Sequence, residues 1–362
     1  MPSSLRNADG GTRFCASAAA SLLLLLPSST VGAAPLPHSA YIWQREWTPA
    51  VHAALTNSAP LLTGYIVLAA EGKTRFTPDY AALRATGKPY GLALRLKPGD
   101  PIPDLNAAEI QLDYDCPESK LDGYRQWLAE VRRHTTSPVT ITALPCWLRH
   151  ETEFRQLVAA TDGFVLQVHS IDANTQTLCD TNAARRAIAQ AARFGKPFRV
   201  ALPTYSHPGG LRADPAALAA LVRDLNTAPP TNMTGIIWYR LPVAGEQNNW
   251  RWPTLAALIA GNMPQPLLAV ELRRPQPGLV ELDLLNTGNA DAFTNLTVTV
   301  RWRDATLLAC DALAGFAMTG TETNAARFVG NPRLAPGERR VAGWLRFRET
   351  KEVSCEVNLL PP

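Results

Sequence analysis

The sequence predicts an α/β protein, a (β/α)8 TIM-like barrel followed by a small all-β domain of immunoglobulin-like type. Over the first three-quarters of the 362 residues, eight short apolar runs alternate with helical segments, and the later part alternates as antiparallel strands do. A barrel typically takes about 250 residues, so the chain is long enough for both parts. Polar side chains also follow nearly every predicted strand, and barrel sites lie at those strand ends.

The eight predicted strands are short apolar runs with turn residues at their flanks, at 40–43, 64–69, 90–95, 109–114, 139–143, 163–168, 198–202 and 235–239. Several are apolar on both faces, as buried parallel strands are. Helix starts are indicated where a capping residue precedes proline, at Thr48-Pro49, Thr77-Pro78 and Asp214-Pro215. The segment 98–108, between the third and fourth strands, is too short and too rich in proline for a full helix. It is the point at which the β/α alternation is weakest.

The domain boundaries follow from shifts in composition. Arg6 and Arg13 precede the apolar stretch 16–26 and a small-residue cleavage site, so residues 1–34 are predicted to be a signal peptide. The barrel is predicted over 38–262 and the β-sandwich over 268–362. The mature chain is therefore expected to be periplasmic or secreted, with no transmembrane segment after cleavage.

Cysteine spacing and charge narrow the function classes. Five cysteines remain after cleavage. The candidate disulfide partners are Cys310 with Cys355 and Cys116 with Cys179, with Cys146 left over, and the sequence leaves the pairing open. No CxxC or Cys/His cluster indicates a metal site, and no glycine-rich nucleotide motif indicates a cofactor. The net charge is +4 without any basic run, so nucleic acid is not an expected partner.

The strongest functional signal is the pair Asp113 and Asp115 at the end of the fourth predicted strand. Residues at i and i+2 of a strand point to the same side, so both carboxylates are expected at the barrel mouth. Glu71, after the second strand, is the candidate second carboxylate across the mouth. The alternative for the aspartate pair is a structural role, in which they cap the next helix or bind an arginine such as Arg95 or Arg240.

Other strand ends supply amides, arginines and aromatic rings, a combination typical of sugar recognition, in which indole rings pack on the apolar face of a pyranose. The predicted substrate-binding residues are Trp43, Gln44, Arg95, Gln167, His169, Tyr205, Trp238 and Arg240. The alternatives are that Trp43 and Trp238 only plug the barrel and that His169 is a structural, hydrogen-bonded residue.

Several runs resemble a bacterial family known as domain of unknown function 3142. They are 40–45 with 47–49, 111–117, 143–148, 166–169, 201–205, 235–242 and 249–253, and the likeness extends over about residues 40–260. The resemblance implies a secreted bacterial protein with a barrel like that of glycoside hydrolases, and it names no substrate.

The fourth strand is also similar to the Asp-x-Asp-x-Glu pattern of chitinase-type barrels. Asp113 and Asp115 match the two aspartates, whereas Pro117 stands at the glutamate position and Glu118 comes one residue late. In that family the glutamate donates the proton. This likeness therefore implies the Asp-x-Asp geometry alone.

The sequence thus predicts a carbohydrate-active barrel, a glycoside hydrolase acting on a bacterial or extracellular polysaccharide. In this hypothesis Asp115 is the general acid and Asp113 shifts its pKa by like-charge coupling. A second hypothesis, favoured by the missing glutamate, is a catalytically silent barrel that binds a glycan or an envelope partner. A third is a structural accessory protein that binds no sugar.

Overall fold

The structure, a computed structural model, describes residues 34–169, 177–207, 211–293, 295–348 and 352–359. Within these ranges, one sheet contains β1 (His38–Ile42), β2 (Gly64–Glu71), β3 (Thr74–Arg75), β4 (Tyr90–Arg95), β5 (Ile110–Leu112), β6 (Val139–Ala143), β7 (Gly163–Gln167), β8 (Phe198–Pro203) and β9 (Met233–Tyr239). Strand β1 pairs in parallel with both β2 and β9, which closes the sheet. The predicted eight-stranded parallel barrel is confirmed, and β3 adds an antiparallel hairpin to β2.

The helices lie between the strands as α1 (Pro49–Ser58), α2 (Tyr80–Ala85), α3 (Leu121–Val131), α4 (Glu151–Ala159), α5 (Thr181–Ala192), α6 (Pro215–Thr227) and α7 (Trp252–Ile259). Short 3-10 turns cover Glu118–Lys120, Arg132–His134 and Pro145–Arg149. Thr48 and Asp214 cap α1 and α6 as predicted. The predicted cap of α2 is wrong: Asp79, not Thr77, accepts a hydrogen bond from the Ala82 backbone N–H. Among the described residues no helix separates β4 from β5, as expected.

Alternate residues of each barrel strand face two different layers, since side chains change sides at every step. The inner layer contains Tyr41, Trp43, Ile66, Leu68, Ala93, Val165, Ala201 and Ile237. A larger apolar cluster lies outside, between the strands and the helices. The barrel interior is therefore a packed core, and open space remains at its ends.

The C-terminal part is antiparallel β-structure, as predicted. Its strands are β10 (Leu268–Gln276), β11 (Leu279–Asn286), β12 (Ala292–Phe293), β13 (Leu296–Arg303), β14 (Leu307–Ala312), β15 (Ala317–Glu322), β16 (Ala325–Gly330), β17 (Arg333–Leu334), β18 (Arg339–Phe347) and β19 (Glu352–Leu359). They form two four-stranded sheets, β10-β11-β18-β14 and β15-β16-β13-β19, and the β12–β17 pair. Both large sheets contribute to one apolar cluster that includes Leu282, Val300 and Phe328. The immunoglobulin-like type and the boundary at 268 remain predictions.

Polar contacts join the β-structure to the loop that precedes α7. The Arg251 backbone N–H donates to the Asp291 carboxylate at 2.7 Å, and the Asp291 N–H donates to Thr254 Oγ1 at 2.9 Å. The Arg333 guanidinium donates to the backbone carbonyls of Gln247 and Asn249. The loop and the strands are thus held together by hydrogen bonds.

The predicted disulfides are wrong, because Cys116, Cys146, Cys179 and Cys310 are all free thiols. The Cys116 thiol lies 3.4 Å from the Pro117 carbonyl and the Cys179 thiol 3.5 Å from the Val168 carbonyl, so each donates to the backbone. Cys310, in β14, is likewise unpaired.

Two further predictions concern the signal peptide and transmembrane segments. The signal peptide is predicted over residues 1–34, and all but the last of these lie outside the described residues. None of the helices in the described ranges is both long and apolar enough to cross a bilayer.

Candidate functional site

A pocket of about 170 Å³ opens at the C-terminal end of the barrel strands. Of the eleven residues predicted for catalysis and substrate binding, seven line it: Trp43, Arg95, Asp113, Asp115, Gln167, His169 and Tyr205. They come from strand ends that lie far apart in the sequence. The parallel barrel brings them together because all its strands end on the same side.

Asp113 is the innermost carboxylate of the pocket. It comes two residues after Gln111, so its side chain points to the same side as that of Gln111, which is fully buried inside the barrel. Only 13% of the Asp113 side chain is exposed. Burial raises the pKa of Asp113 above its usual value, while the Arg95 guanidinium, 3.9 Å away, partly opposes the shift. The nearby Asp115 raises this pKa further. Asp113 therefore holds a proton more readily than an ordinary aspartate.

Asp115 lies further out, with 59% of its side chain exposed, and its Oδ2 is 3.5 Å from Arg95 Nη2. One guanidinium thus bridges the two carboxylates, as the arginine-binding alternative predicts, and the direct role of the pair stays a prediction. The sequence assigned the general acid to Asp115. Asp113 is the more deeply buried of the two, because the strand ends at Leu112 and the chain leaves the barrel before residue 115.

One wall of the pocket is aromatic. The Trp43 ring meets Tyr239 and Tyr41 edge to face, with centroids 5.4 and 5.6 Å apart. Tyr239 also stacks on His169 at 5.4 Å and meets the ring of Tyr205 at 5.7 Å. Edge-to-face packing of this kind holds ring positions, so the wall is pre-shaped. Burial raises the pKa of Tyr239 to about 12, which keeps its hydroxyl protonated as a hydrogen-bond donor.

His169 is almost completely buried beside this wall. Its Nδ1 is 3.5 Å from the Tyr205 hydroxyl, and its Nε2 has no hydrogen-bond partner among the described residues. Burial lowers the pKa of His169 to about 3, so the ring is neutral at ordinary pH. The Gln167 side chain donates to the His169 backbone carbonyl at 3.3 Å. His169 is therefore suited to hydrogen bonding with a ligand hydroxyl and not to carrying positive charge.

Acid should destabilise the protein through His169. The folded state binds its proton only near pH 3, whereas the unfolded chain binds it near pH 6.5, so stability is complete above pH 6.5 and is lost on acidification through that window. At pH 4.5 the loss is about 2–3 kcal/mol. Urea denaturation at pH 7 and 4.5 should show a smaller loss for His169→Gln than for wild type. An equal loss in both proteins would contradict the assignment.

Four further pocket residues were absent from the predicted site: Tyr41, Thr142, Ala201 and Tyr239. Beneath them, the Gln111 amide donates to Tyr41 Oη at 2.6 Å and to Thr142 Oγ1 at 2.9 Å, which forms the pocket floor. Counting two residues outward from the apolar inner residue Ile237 finds Tyr239, and this parity was available in the sequence.

The other predicted residues lie outside the pocket lining. Glu71 is held by Arg45, whose Nη2 and Nε are 2.6 and 3.0 Å from its Oε2. Arg240 and Gln44 both contact Glu246 Oε1, at 2.8 and 3.2 Å. The structure therefore does not bring Glu71 into the pocket as a second carboxylate, because a nearer cation binds it.

The prediction that Trp238 binds substrate is wrong. Its side chain is fully buried on the outer side of the barrel, where the ring stacks on His38 with centroids 5.9 Å apart and Nε1 donates to His38 Nδ1 at 3.0 Å. A sugar at the mouth cannot reach it. Tyr239, one position later, faces inward, and the alternation of side chains along β9 explains the difference.

Glu118, the residue after the missing glutamate position, also lies elsewhere. It begins the 3-10 turn Glu118–Lys120, and its carboxylate contacts Arg149 and His150 at 2.5 and 2.6 Å. These contacts lower the pKa of Glu118 below its usual value, Arg149 most of all. Pro117 and this ion pair together exclude Glu118 from the pocket. In the described ranges, no group of three or more histidine, cysteine and acidic side chains is arranged to hold a metal ion.

Comparison with known proteins finds matches to two family models and similarity to several solved structures of low sequence identity. Residues 103–209 match the model of a domain of unknown function, DUF3142, and residues 269–348 match a second, DUF8456. A search of curated proteins found no match.

Among solved structures, the chain is similar to the spore cortex-lytic enzyme SleL of Bacillus cereus, with 10% identity and a TM-score of 0.43 over 64% of this chain and 75% of that one. It is also similar to the β-mannanase of Thermomonospora fusca, with 10% identity and a TM-score of 0.41 over 59% and 80%. The xylanase and α-amylase inhibitor protein of Scadoxus multiflorus matches with 11% identity and a TM-score of 0.40 over 63% and 99%. The resemblance predicted from the sequence is confirmed by the family match, and residues 103–209 carry a DUF3142 domain.

Proposed function

We propose that the protein is a carbohydrate-active barrel that binds one sugar residue at the barrel mouth and hydrolyses its glycosidic bond. The observation that carries this proposal is Asp113, a buried carboxyl with a raised pKa that opens on an aromatic pocket. A protonated carboxyl beside a ring-binding wall is what general acid catalysis of glycoside cleavage requires.

In the proposed reaction, Asp113 donates its proton to the glycosidic oxygen as the bond from that oxygen to the anomeric carbon breaks. The Asp113 carboxylate that remains stabilises the positive charge that develops on the sugar ring. Water then forms a bond to the anomeric carbon, and Asp115, nearer to solvent, accepts the proton of that water, since glycosidases use a pair of carboxyl groups. Arg95 contacts both aspartates and limits their mutual repulsion.

The pocket dimensions define the substrate contact. Its volume of about 170 Å³ is below the roughly 300–1,000 Å³ of pockets for drug-sized ligands, so it accommodates a single sugar residue. The Trp43 ring and the neighbouring tyrosines supply the apolar surface, and Gln167 and His169 supply hydrogen bonds. A predicted signal peptide further supports a substrate outside the cytoplasm, such as a polysaccharide of the bacterial envelope.

A specific observation favours a second candidate function, sugar binding without cleavage. The only carboxylates that line the pocket among the described residues are Asp113 and Asp115, and both contact the same guanidinium. Glu71 is held by Arg45. If Arg95 keeps both aspartates ionised, the pocket can bind a sugar and has no acid with which to cleave it.

The deciding experiment is to incubate wild-type protein with a panel of bacterial polysaccharides and measure both bound glycan and new reducing ends. Hydrolysis predicts reducing ends that increase with time and enzyme concentration. Saturable binding without release would establish the second function. Neither binding nor release of any member of the panel would contradict both.

Trp43→Ala should weaken glycan binding about tenfold, because it removes the ring on which a sugar packs, and tenfold corresponds to about 1.4 kcal/mol. Calorimetric titration with the glycan identified in the panel measures the change. Trp252→Ala, at the start of α7 and outside the pocket lining, is the matched control. Equal affinity of Trp43→Ala and wild type would place the sugar elsewhere.

A further inference from the structure

A second, larger cavity lies between the barrel loops and the β-structure. Its volume is about 500 Å³, and four arginines line it: Arg212, Arg251, Arg333 and Arg340. The acidic side chain in the lining is Glu338. The guanidinium groups come from both parts of the chain, two from the barrel loops and two from the β-structure. We refer to this cavity as the arginine cleft.

The positive charge of the arginine cleft is only partly balanced. Arg340 is paired with Glu338 at 2.8 Å, and Arg333 lies 3.6 Å from the buried Asp291. Arg212 and Arg251 form no ion pair with a carboxylate in the described part of the chain. Crowding by Arg251 and Arg212 contributes, after burial, to lowering the pKa of Arg333. The cleft therefore carries an excess of positive charge.

The guanidinium groups are also held in place. The Arg212 and Arg333 groups lie over the same Phe293 ring, with their central carbons 4.6 and 4.7 Å from its centroid. The Arg251 side chain donates to the Glu246 backbone carbonyl at 2.9 Å. Planar guanidinium groups fixed in this way match the oxygens of a carboxylate, sulfate or phosphate.

The arginine cleft adjoins the mouth pocket. Tyr205 lines the pocket, and the next two residues, Ser206 and His207, line the cleft. The backbone of Tyr205 forms a β-bridge with Asn249, which follows the cleft residues Gln247 and Asn248. Consecutive Cα atoms are about 3.8 Å apart, so residues that line the two cavities lie within a few ångströms of each other along this loop.

We propose that the arginine cleft is an oxyanion-binding site that takes the acidic group of a glycan whose neighbouring sugar occupies the mouth pocket. The substrate class is therefore an acidic polysaccharide, with a uronic carboxylate or a sulfate or phosphate ester as the recognised group. The identification of the anion's carrier as a glycan rests on the proposed function, whereas the anion site itself does not. Arg212 and Arg340 are assigned to the acidic group because Arg251 and Arg333 already donate to backbone carbonyls.

The test measures anion binding to the full chain by calorimetry with sodium sulfate, sodium phosphate, glucuronate and glucose at constant ionic strength. We expect saturable binding of at least one oxyanion and at least tenfold tighter binding of glucuronate than of glucose if the group is a carboxylate. Each of the single variants Arg212→Gln and Arg340→Gln should raise the Kd of the bound anion at least tenfold. Arg223→Gln, an equal charge change on the exposed face of α6, should leave it unchanged.

The outcomes separate this inference from the proposed function. Tight binding of sulfate or phosphate but not glucuronate would assign an ester group, and the reverse would assign a uronic acid. Anion binding that survives in Asp113→Asn and Trp43→Ala, in a protein that neither binds nor cleaves polysaccharide, would support the site and refute the proposed function. Absence of oxyanion binding, or equal loss in Arg223→Gln, would overturn the inference whatever the mouth pocket does.

Discussion

Asp113→Asn is expected to lower the rate of glycan hydrolysis by about 10²–10⁴-fold, the usual contribution of a positioned general acid. Asparagine has nearly the same shape as aspartate but cannot donate an acidic proton to the glycosidic oxygen. The pocket walls and the aromatic packing should be unchanged. The loss should therefore appear in kcat, with KM changed little.

The measurement is the initial rate of reducing-end release by wild type, Asp113→Asn and Asp115→Asn on the same substrate. Asp122→Asn, an exposed aspartate of α3 outside the pocket lining, is the control for a simple loss of negative charge. The assignment fails if Asp113→Asn keeps full activity. Inactivity of Asp115→Asn together with an active Asp113→Asn would restore the roles that the sequence suggested.

The same substitution should stabilise the folded protein at neutral pH. The pKa of Asp113 is raised on folding, so the folded state binds its proton more tightly than the unfolded chain and stability falls as pH rises through that pKa. Asparagine removes this penalty. The Tm of Asp113→Asn should exceed that of wild type by a few degrees at pH 7, and the difference should shrink towards pH 4. A lower Tm at pH 7 would indicate that the contact with Arg95 outweighs burial.

Trp238→Ala should reduce the free energy of unfolding by about 3–5 kcal/mol, the cost of truncating a fully buried tryptophan. The ring stacks on His38, contacts Trp250 at 6.3 Å between centroids, and donates a hydrogen bond to His38. Alanine would leave a cavity between β9 and the helices and leave the buried His38 nitrogen without its donor.

Urea denaturation of wild type, Trp238→Ala and Trp238→Phe measures the effect. Phenylalanine fills much of the space but cannot donate the hydrogen bond, so a smaller loss than for alanine is expected. Glycan affinity of the folded fraction of Trp238→Phe should equal that of wild type, since Trp238 does not face the pocket. An affinity loss as large as that of Trp43→Ala would refute the placement of Trp238 outside the barrel.

Much of the barrel could be predicted because its signal is local. Apolar runs such as Tyr65-Ile66-Val67-Leu68 indicate buried parallel strands, and residues such as Thr48 and Asp214 mark helix starts. Local polar residues after the strands also identified most of the pocket lining. These features depend on neighbours within a few positions, so the order of residues alone determines them.

The exact faces of the strands were harder to predict. A shift of one residue changes which side chain faces inward, so Trp238 was expected at the mouth where Tyr239 lies. The same uncertainty applies to the depths of Asp113 and Asp115, because the sequence does not show that β5 ends at Leu112 and that Asp113 is the more buried of the two. The disulfide candidates failed for a related reason: the positions of cysteines along the chain do not show which thiols pack against each other.

By itself, the sequence determined the class of the fold, the family of residues 103–209 and the end of the barrel where polar groups gather. The tertiary structure alone decided which groups meet: Arg95 with both aspartates, Arg45 with Glu71, and Arg212 with Arg333 over one ring. Burial, and with it the raised pKa of Asp113, depends on side chains brought from distant strands. Such contacts are long-range and are fixed only when the barrel closes.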